Sequence, residues 1–330
     1  MTTLFVATGD SFARITQQGE DWNVEISLEG SGVQCLALDP HHEGTVYAGS
    51  SGEGVWKCQT SLLATRMKWS NMRLPQGYVF SLAVSAADGA VYAGCEPSML
   101  FRSRDGGAEW DELEYLRDIP SAPTWSFPPR PWTSHVRTIA PSPHDANLLL
   151  VGIELGGVMR SLDGGETWAD HAPGAQKDAH ALAWHPLVTG RAFEAGGQGA
   201  AWSADGGATW QSLDDGLDRF YTWALAVDAT APDTWYLSAS TGPRQAHAGP
   251  HAECNVYRRE GSGPWQVLSG GLPQPADSMV HALACCEGGL FAGLGDGRIY
   301  HSLDRGESWK PLSLQGDKLS GVRALACVAT

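Results

Sequence analysis

An octet of the pattern Ser-x-Asp-x-Gly-x-x-Trp occurs four times in this chain. The copies are SRDGGAEW (Ser103 to Trp110), SLDGGETW (Ser161 to Trp168), SADGGATW (Ser203 to Trp210) and SLDRGESW (Ser302 to Trp309). Three degraded copies keep the tryptophan, at Trp22, Trp69 and Trp265, so seven tryptophans follow one another at intervals of 41 to 58 residues. A second series has the same count: VQCLA (Val33), VFSLA (Val79), VRTIA (Val136), AHALA (Ala179), TWALA (Thr222), VHALA (Val280) and VRALA (Val322). Two further apolar segments separate each of these from the next tryptophan, as in VYAG then GVWK (Val46 to Lys57). Four strands per repeat with glycine-rich turns make a propeller blade, and a fixed repeat overrides the usual inference of two domains from length. The expectation is an all-β, seven-bladed β-propeller with four-stranded antiparallel blades, one domain over residues 1–330.

The ends fit this scheme. VRALACVA at the C-terminus is a first strand with nothing after it, while LFVATG (Leu4) and SFARI (Ser11) are second and third strands with nothing before them. The N-terminal strands are therefore expected to pair with the C-terminal strand and close the ring, removing open sheet edges and leaving no room for a cleaved leader.

Composition narrows the function classes. A net charge of −15 with no basic run argues against nucleic acid, whose binding depends on Lys and Arg releasing counterions. No apolar run reaches the ~18 to 20 residues of a membrane helix, and the N-terminus lacks signal-peptide character. The 7 cysteines show no metal-finger spacing and read as free thiols in a reducing, cytoplasmic setting.

The octet resembles the Asp box of the BNR-repeat propellers, the family that includes sialidases, two-propeller xyloglucanases, sortilin-like receptors and photosystem II assembly factors. The resemblance implies that Asp105, Asp163, Asp205 and Asp304 close the turn between third and fourth strands, with the tryptophan packed on the blade. It implies nothing about a particular reaction, because the box is structural. A typical sialidase is not expected: Arg14-Ile15-Thr16 lacks the proline of that group's Arg-Ile-Pro, six blades are usual there, and a third channel arginine is missing.

In this scheme links between blades and second-to-third connections share one face, opposite the octet turns. Both long insertions fall there: residues 114–135, with Trp125, Phe127, Trp132 and several prolines, and residues 241–255, with His247 and His251. The first reads as an ordered lid and the second as a more mobile loop. The residue after the leading position of each inner strand forms a column of Gln34, Phe80, Arg137, His180, Trp223, His281 and Arg323. Two residues earlier stand Gly32, Tyr78, His135, Asp178, Tyr221, Met279 and Gly321. After the second strand come Asp10, Glu53, Glu96, Glu154, Gln198 and Asp296, and Glu194 interrupts an apolar second strand.

From these columns an enzyme site is read, of hydrolase or lyase type, acting on a small polar or anionic ligand or a glycan. Arg137 and Arg323 would grip a carboxylate, with Tyr221, Trp223, His135 and Trp132 completing the binding surface. His180, His281, Glu154 and Glu194 are the candidates for proton transfer. Glu154 with Glu194 or Glu96 is the carboxylate pair a glycosidase would need. No cofactor motif is present; a divalent metal on His135, His180 and His281 is the one cofactor these residues admit. The alternative is a non-catalytic module, similar to the photosystem assembly propellers, that holds a protein partner by its acidic rim and aromatic loop.

Overall fold

The computed structural model describes residues 2–59, 66–127, 133–231 and 233–329. Seven sheets form a ring in which each innermost strand packs against those of its two neighbours, round to closure. The innermost strands are Val33–Leu38, Val79–Val84, Val136–Pro141, Ala179–Trp184, Tyr221–Val227, Val280–Cys286 and Ala324–Ala329. The last of these pairs antiparallel with Thr2–Ala7, so the two ends of the chain share one blade, as expected. That blade gains an extra outer strand, Ser313–Gly316, running parallel to Asp21–Ser27.

A second blade departs from the four-stranded plan in the opposite sense. Beyond Gly157–Ser161 the third blade has a single bridge, Arg160 to Ala169, in place of an outer strand. The reason is local: the Val158 N–H donates to Nδ1 of His171 at 3.2 Å, so a side chain occupies a position that a backbone carbonyl would take in a ladder.

The octet turns account for their own residues. In the second copy Ser161 Oγ donates to Asp163 Oδ1 and accepts from the Gly165 N–H, both at 2.8 Å. Asp163 also takes the Thr167 N–H at 2.8 Å and its hydroxyl at 2.6 Å. The remaining three copies repeat the serine and backbone bonds around Asp105, Asp205 and Asp304, and the hydroxyl bond recurs at Asp205 and Asp304 but not at Asp105, where Glu109 replaces the threonine. The fourth has Arg305 at φ 57° where the other three have glycine, a conformation disfavoured for a side chain with a Cβ.

Six of the seven inner strands carry a register shift near their start. Val33 pairs with Ser50 and Cys35 with Gly49, so Gln34 is an extra residue that the second strand does not match. Phe80, Arg137, His180 and His281 occupy the same extra position in their blades, and Trp223 falls in the shifted stretch between Thr222 and Leu225. A bulge frees its extra residue from the ladder and re-aims the side chain. The glycine opposite is required by crowding: a Cβ on Gly94 would lie 2.3 Å from Ser81 Oγ and 2.5 Å from Val136. The recurrent Ala-Gly ending of the second strands thus belongs to the bulge that builds the channel wall.

Candidate functional site: the channel mouth

The bulge column opens into a cavity of about 340 Å³. Gln34, Phe80, Arg137, Trp223, His281 and Arg323 line it, joined by Gly9, Ser51, Glu154 and His247 from second-to-third connections and by Phe127 and the predicted binding residue His135 from the first long insertion. None of the octet turns contributes. Both insertions therefore meet at one mouth, on the face the sequence assigned to them.

The first insertion is anchored rather than loose. Its short 3-10 helices, Glu114–Asp118 and Ala122–Thr124, bring Leu116 and Trp125 into the core beside Ile153 and Met159. Trp125 is thus an anchor, and Phe127 is the residue that reaches the cavity. Trp132, expected to bind ligand, lies outside the described residues. In the second insertion a one-turn helix, Pro243–His247, sets His247 against the Tyr221 hydroxyl at 3.0 Å.

An ionisable network runs along one wall. His135 is fully buried between the stacked Phe80 ring, 4.0 Å away between centroids, and the edge of Phe127. Its Nε2–H donates to Glu154 at 2.7 Å and its Nδ1 faces Glu96 at 3.5 Å. Burial pushes the Glu154 carboxyl up, but the His135 hydrogen bond and the Arg137 charge outweigh it and hold the pKa at about 2. Arg137 stands 3.6 Å from Glu154 and lies over the Trp223 indole, 4.6 Å from its centroid. Partial burial of its side chain, reinforced by the Arg137 charge, lowers the Arg323 pKa, so two guanidiniums face one cavity although Arg323 as a whole stays exposed. His281 is pushed down to about 3 by burial and by the Arg323 charge. Its Nδ1 faces the Val322 carbonyl at 3.3 Å; a carbonyl only accepts, so the proton sits there and Nε2 keeps the lone pair.

Several expectations are redirected. His180 does not line the cavity; it is buried beneath Trp223, with its Nδ1–H donating to the Thr222 carbonyl at 2.6 Å. Tyr221 is buried beside it and reaches the mouth only through His247. Glu194 sits inside its blade, wholly buried and accepting the Gln176 N–H at 2.9 Å, with burial raising its pKa to about 8. It faces no substrate, because the second strand of a blade lies behind the first. Glu154 is paired with neither Glu194 nor Glu96 across a substrate gap: Glu96 and Glu154 flank His135 instead. His135, His180 and His281 do not converge on a metal; among the described residues the one group with metal-ligand spacing is Glu154, Asp178 and His180. Asp178 and His247 were visible in the sequence but carried no signal separating them from neighbours such as His251.

No protein-family model matches the chain, and no curated protein matches it. Solved structures do. The GH74 xyloglucanase from Xanthomonas campestris superposes with a TM-score of 0.62 at 19% identity, over 85% of this chain and 45% of that one. A Bacteroides uniformis protein provisionally named a 6-phosphogluconolactonase gives 0.69 at 11% identity, over 99% of both chains. The WD40 propeller domain of Doa1 gives 0.63 at 14%, over 93% of this chain and 91% of that one. The chain spans less than half the length of the GH74 enzymes it matches. At these identities the likeness is one of fold, shared by enzymes and WD40 propellers alike.

Proposed function

We propose that this chain is an enzyme of hydrolase or lyase type that holds a small anionic substrate, a carboxylate or sugar acid, at the channel mouth. One observation carries the reading: Arg137 and Arg323 line the same cavity with little to neutralise them. Among the described residues the Arg323 side chain has no carboxylate partner, and Arg137 has only Glu154 at 3.6 Å. A carboxylate placed between the two would receive charge-assisted hydrogen bonds from both. Phe80, Phe127 and Trp223 offer apolar faces to the rest of a molecule that fits in about 340 Å³. We also assign the four octets to the Asp-box type of propeller repeat, on their hydrogen bonding.

Chemistry at this site would fall to His281 and Glu154. Bound anion would offset the arginine charges that depress His281, restoring a neutral imidazole to useful basicity near the substrate. Glu154 is ionised and would act by charge or as a proton acceptor, with His135 and Glu96 behind it.

The second reading is an anion-binding propeller without turnover, able to take a partner's carboxylate. Its support is that Glu154 at about 2 and His281 at about 3 are both far from neutral pH before ligand binds. Thermal-shift and calorimetric screening of small mono- and dicarboxylates, sugar acids and inorganic phosphate tests the proposal. A ligand should stabilise the native protein, and Arg137→Ala or Arg323→Ala should weaken it at least ~10-fold. Stabilisation by no anion, or binding indifferent to both arginines, would remove the basis of either reading. Turnover lost in His281→Ala with binding retained would favour the enzyme.

A further inference from the structure

Beneath the anion-binding wall lies a second set of ligating groups. We infer that Glu154, Asp178 and His180 bind one divalent first-row cation, of the Mn²⁺ or Zn²⁺ kind. Each offers a donor atom, and the three atoms lie within 4.8 Å of one another. His180 Nε2 stands 3.4 Å from Asp178 Oδ2, the edge length expected of a coordination sphere with bonds of about 2.0–2.2 Å.

The hydrogen bonding of His180 supplies an independent argument. Its side chain is completely buried. Because Nδ1–H is committed to the Thr222 carbonyl, Nε2 is the atom left to face the Asp178 carboxylate, and that nitrogen has no hydrogen-bond partner. Asp178 Oδ1 is likewise buried without one. The unpartnered Nε2 and the buried Asp178 oxygen are donor atoms set around a place that a cation would fill. The surroundings are arranged to match. Asp178 is accommodated because residue 197 is glycine: a Cβ there would fall 2.2 Å from its Oδ2. Glu154 can give one oxygen to His135 and still offer the other, and a ligating carboxylate steadied by an outer hydrogen bond is the common pattern at metal sites.

One imidazole with two carboxylates suits Mn²⁺, Fe²⁺ or Zn²⁺ better than a soft ion, which would seek sulfur. Two carboxylates also balance the charge of the cation, so the nearby Arg137 is left free for an anion. The inference does not depend on the anion reading, since a cation can be held with no anion present.

The test uses the full chain without a His tag, stripped by chelator and desalted, then titrated with Mn²⁺ alone and followed by electron paramagnetic resonance and thermal melting. One equivalent should be bound, with a rise in melting temperature. His180→Ala, Asp178→Asn and Gly197→Ala should each lower affinity at least ~10-fold, Gly197→Ala doing so with every ligand still present. Arg323→Ala should keep full stoichiometry, and circular dichroism of each variant identifies any that fails to fold. Absence of stoichiometric binding by the folded wild type would overturn the site. Binding that persists equally in His180→Ala and Asp178→Asn would also overturn it, because the ion would then be on the surface.

Discussion

His135 Nε2 stands 2.7 Å from Glu154 Oε2, and the bond joins the start of one inner strand to the turn that follows its own second strand. His135 and Glu154 both border the cavity and both are buried, and through this bond the imidazole helps set the charge state of the carboxylate. His135→Ala should let the Glu154 pKa climb from about 2 toward the usual carboxylate range. Carbon-13 NMR of the carboxyl group reads this directly; an unchanged titration would show that Arg137 alone sets it.

Arg323 costs the free protein something, because its charge is partly desolvated and faces Arg137. Arg323→Met should therefore raise the melting temperature without ligand while abolishing anion binding. A drop in melting temperature would mean that its aliphatic packing near Gly9 matters more than its charge.

His281 should respond to ligand. Without anion it is neutral down to about pH 3, protonated on Nδ1. A bound carboxylate removes part of the Arg323 and Arg137 repulsion, so the His281 pKa must rise. Nitrogen-15 NMR across pH, with and without ligand, measures the shift; identical curves would sever His281 from the anion site.

Glu194 gives the fold a pH dependence of its own. Its folded pKa of about 8 exceeds its ordinary value of 4.5, so the folded chain binds a proton that the unfolded chain releases between those limits. Stability therefore falls as pH rises from about 4.5 to about 8, by an amount on the order of a few kcal/mol. Glu194→Gln should flatten this slope and stabilise the protein more at pH 8 than at pH 5 in urea unfolding. Glu154 works in the opposite sense, its contribution being complete above about pH 4.5 and lost as pH falls toward 2.

The octet turns make a paired prediction. Asp163→Ala removes the acceptor for Ser161 and Thr167 and should cost about 1–3 kcal/mol. Arg305→Gly relieves a left-handed residue and should stabilise by less than about 1 kcal/mol. Equal effects of the same sign would mean the turns are not independent closures.

The blade number, the shared closing blade and the face carrying both insertions were legible because each left a repeated mark: a tryptophan, an apolar pentad, a run of excess length. The inner column was legible for the same reason, and six of its seven members reach the cavity. What escaped depends on distances that no repeat encodes. Glu194 looked exposed to the channel because it broke an apolar strand, yet such a break is equally the mark of a carboxyl buried neutral. His180 kept its place in the column but turned inward, toward Thr222 and Asp178, and three histidines from separate blades had no reason to meet. Asp178 stood in the earlier column, but what set it apart was Gly197, whose missing side chain makes the space for its carboxylate.

The bulges have an architectural consequence. A residue outside the ladder holds no backbone pairing hostage, so its side chain is open to exchange at little risk to the blade. Gln34, Phe80, Arg137, Trp223 and His281 are in that sense interchangeable seats around one table. A propeller of this build can acquire a new guest by reseating a few positions while the surrounding architecture stands still.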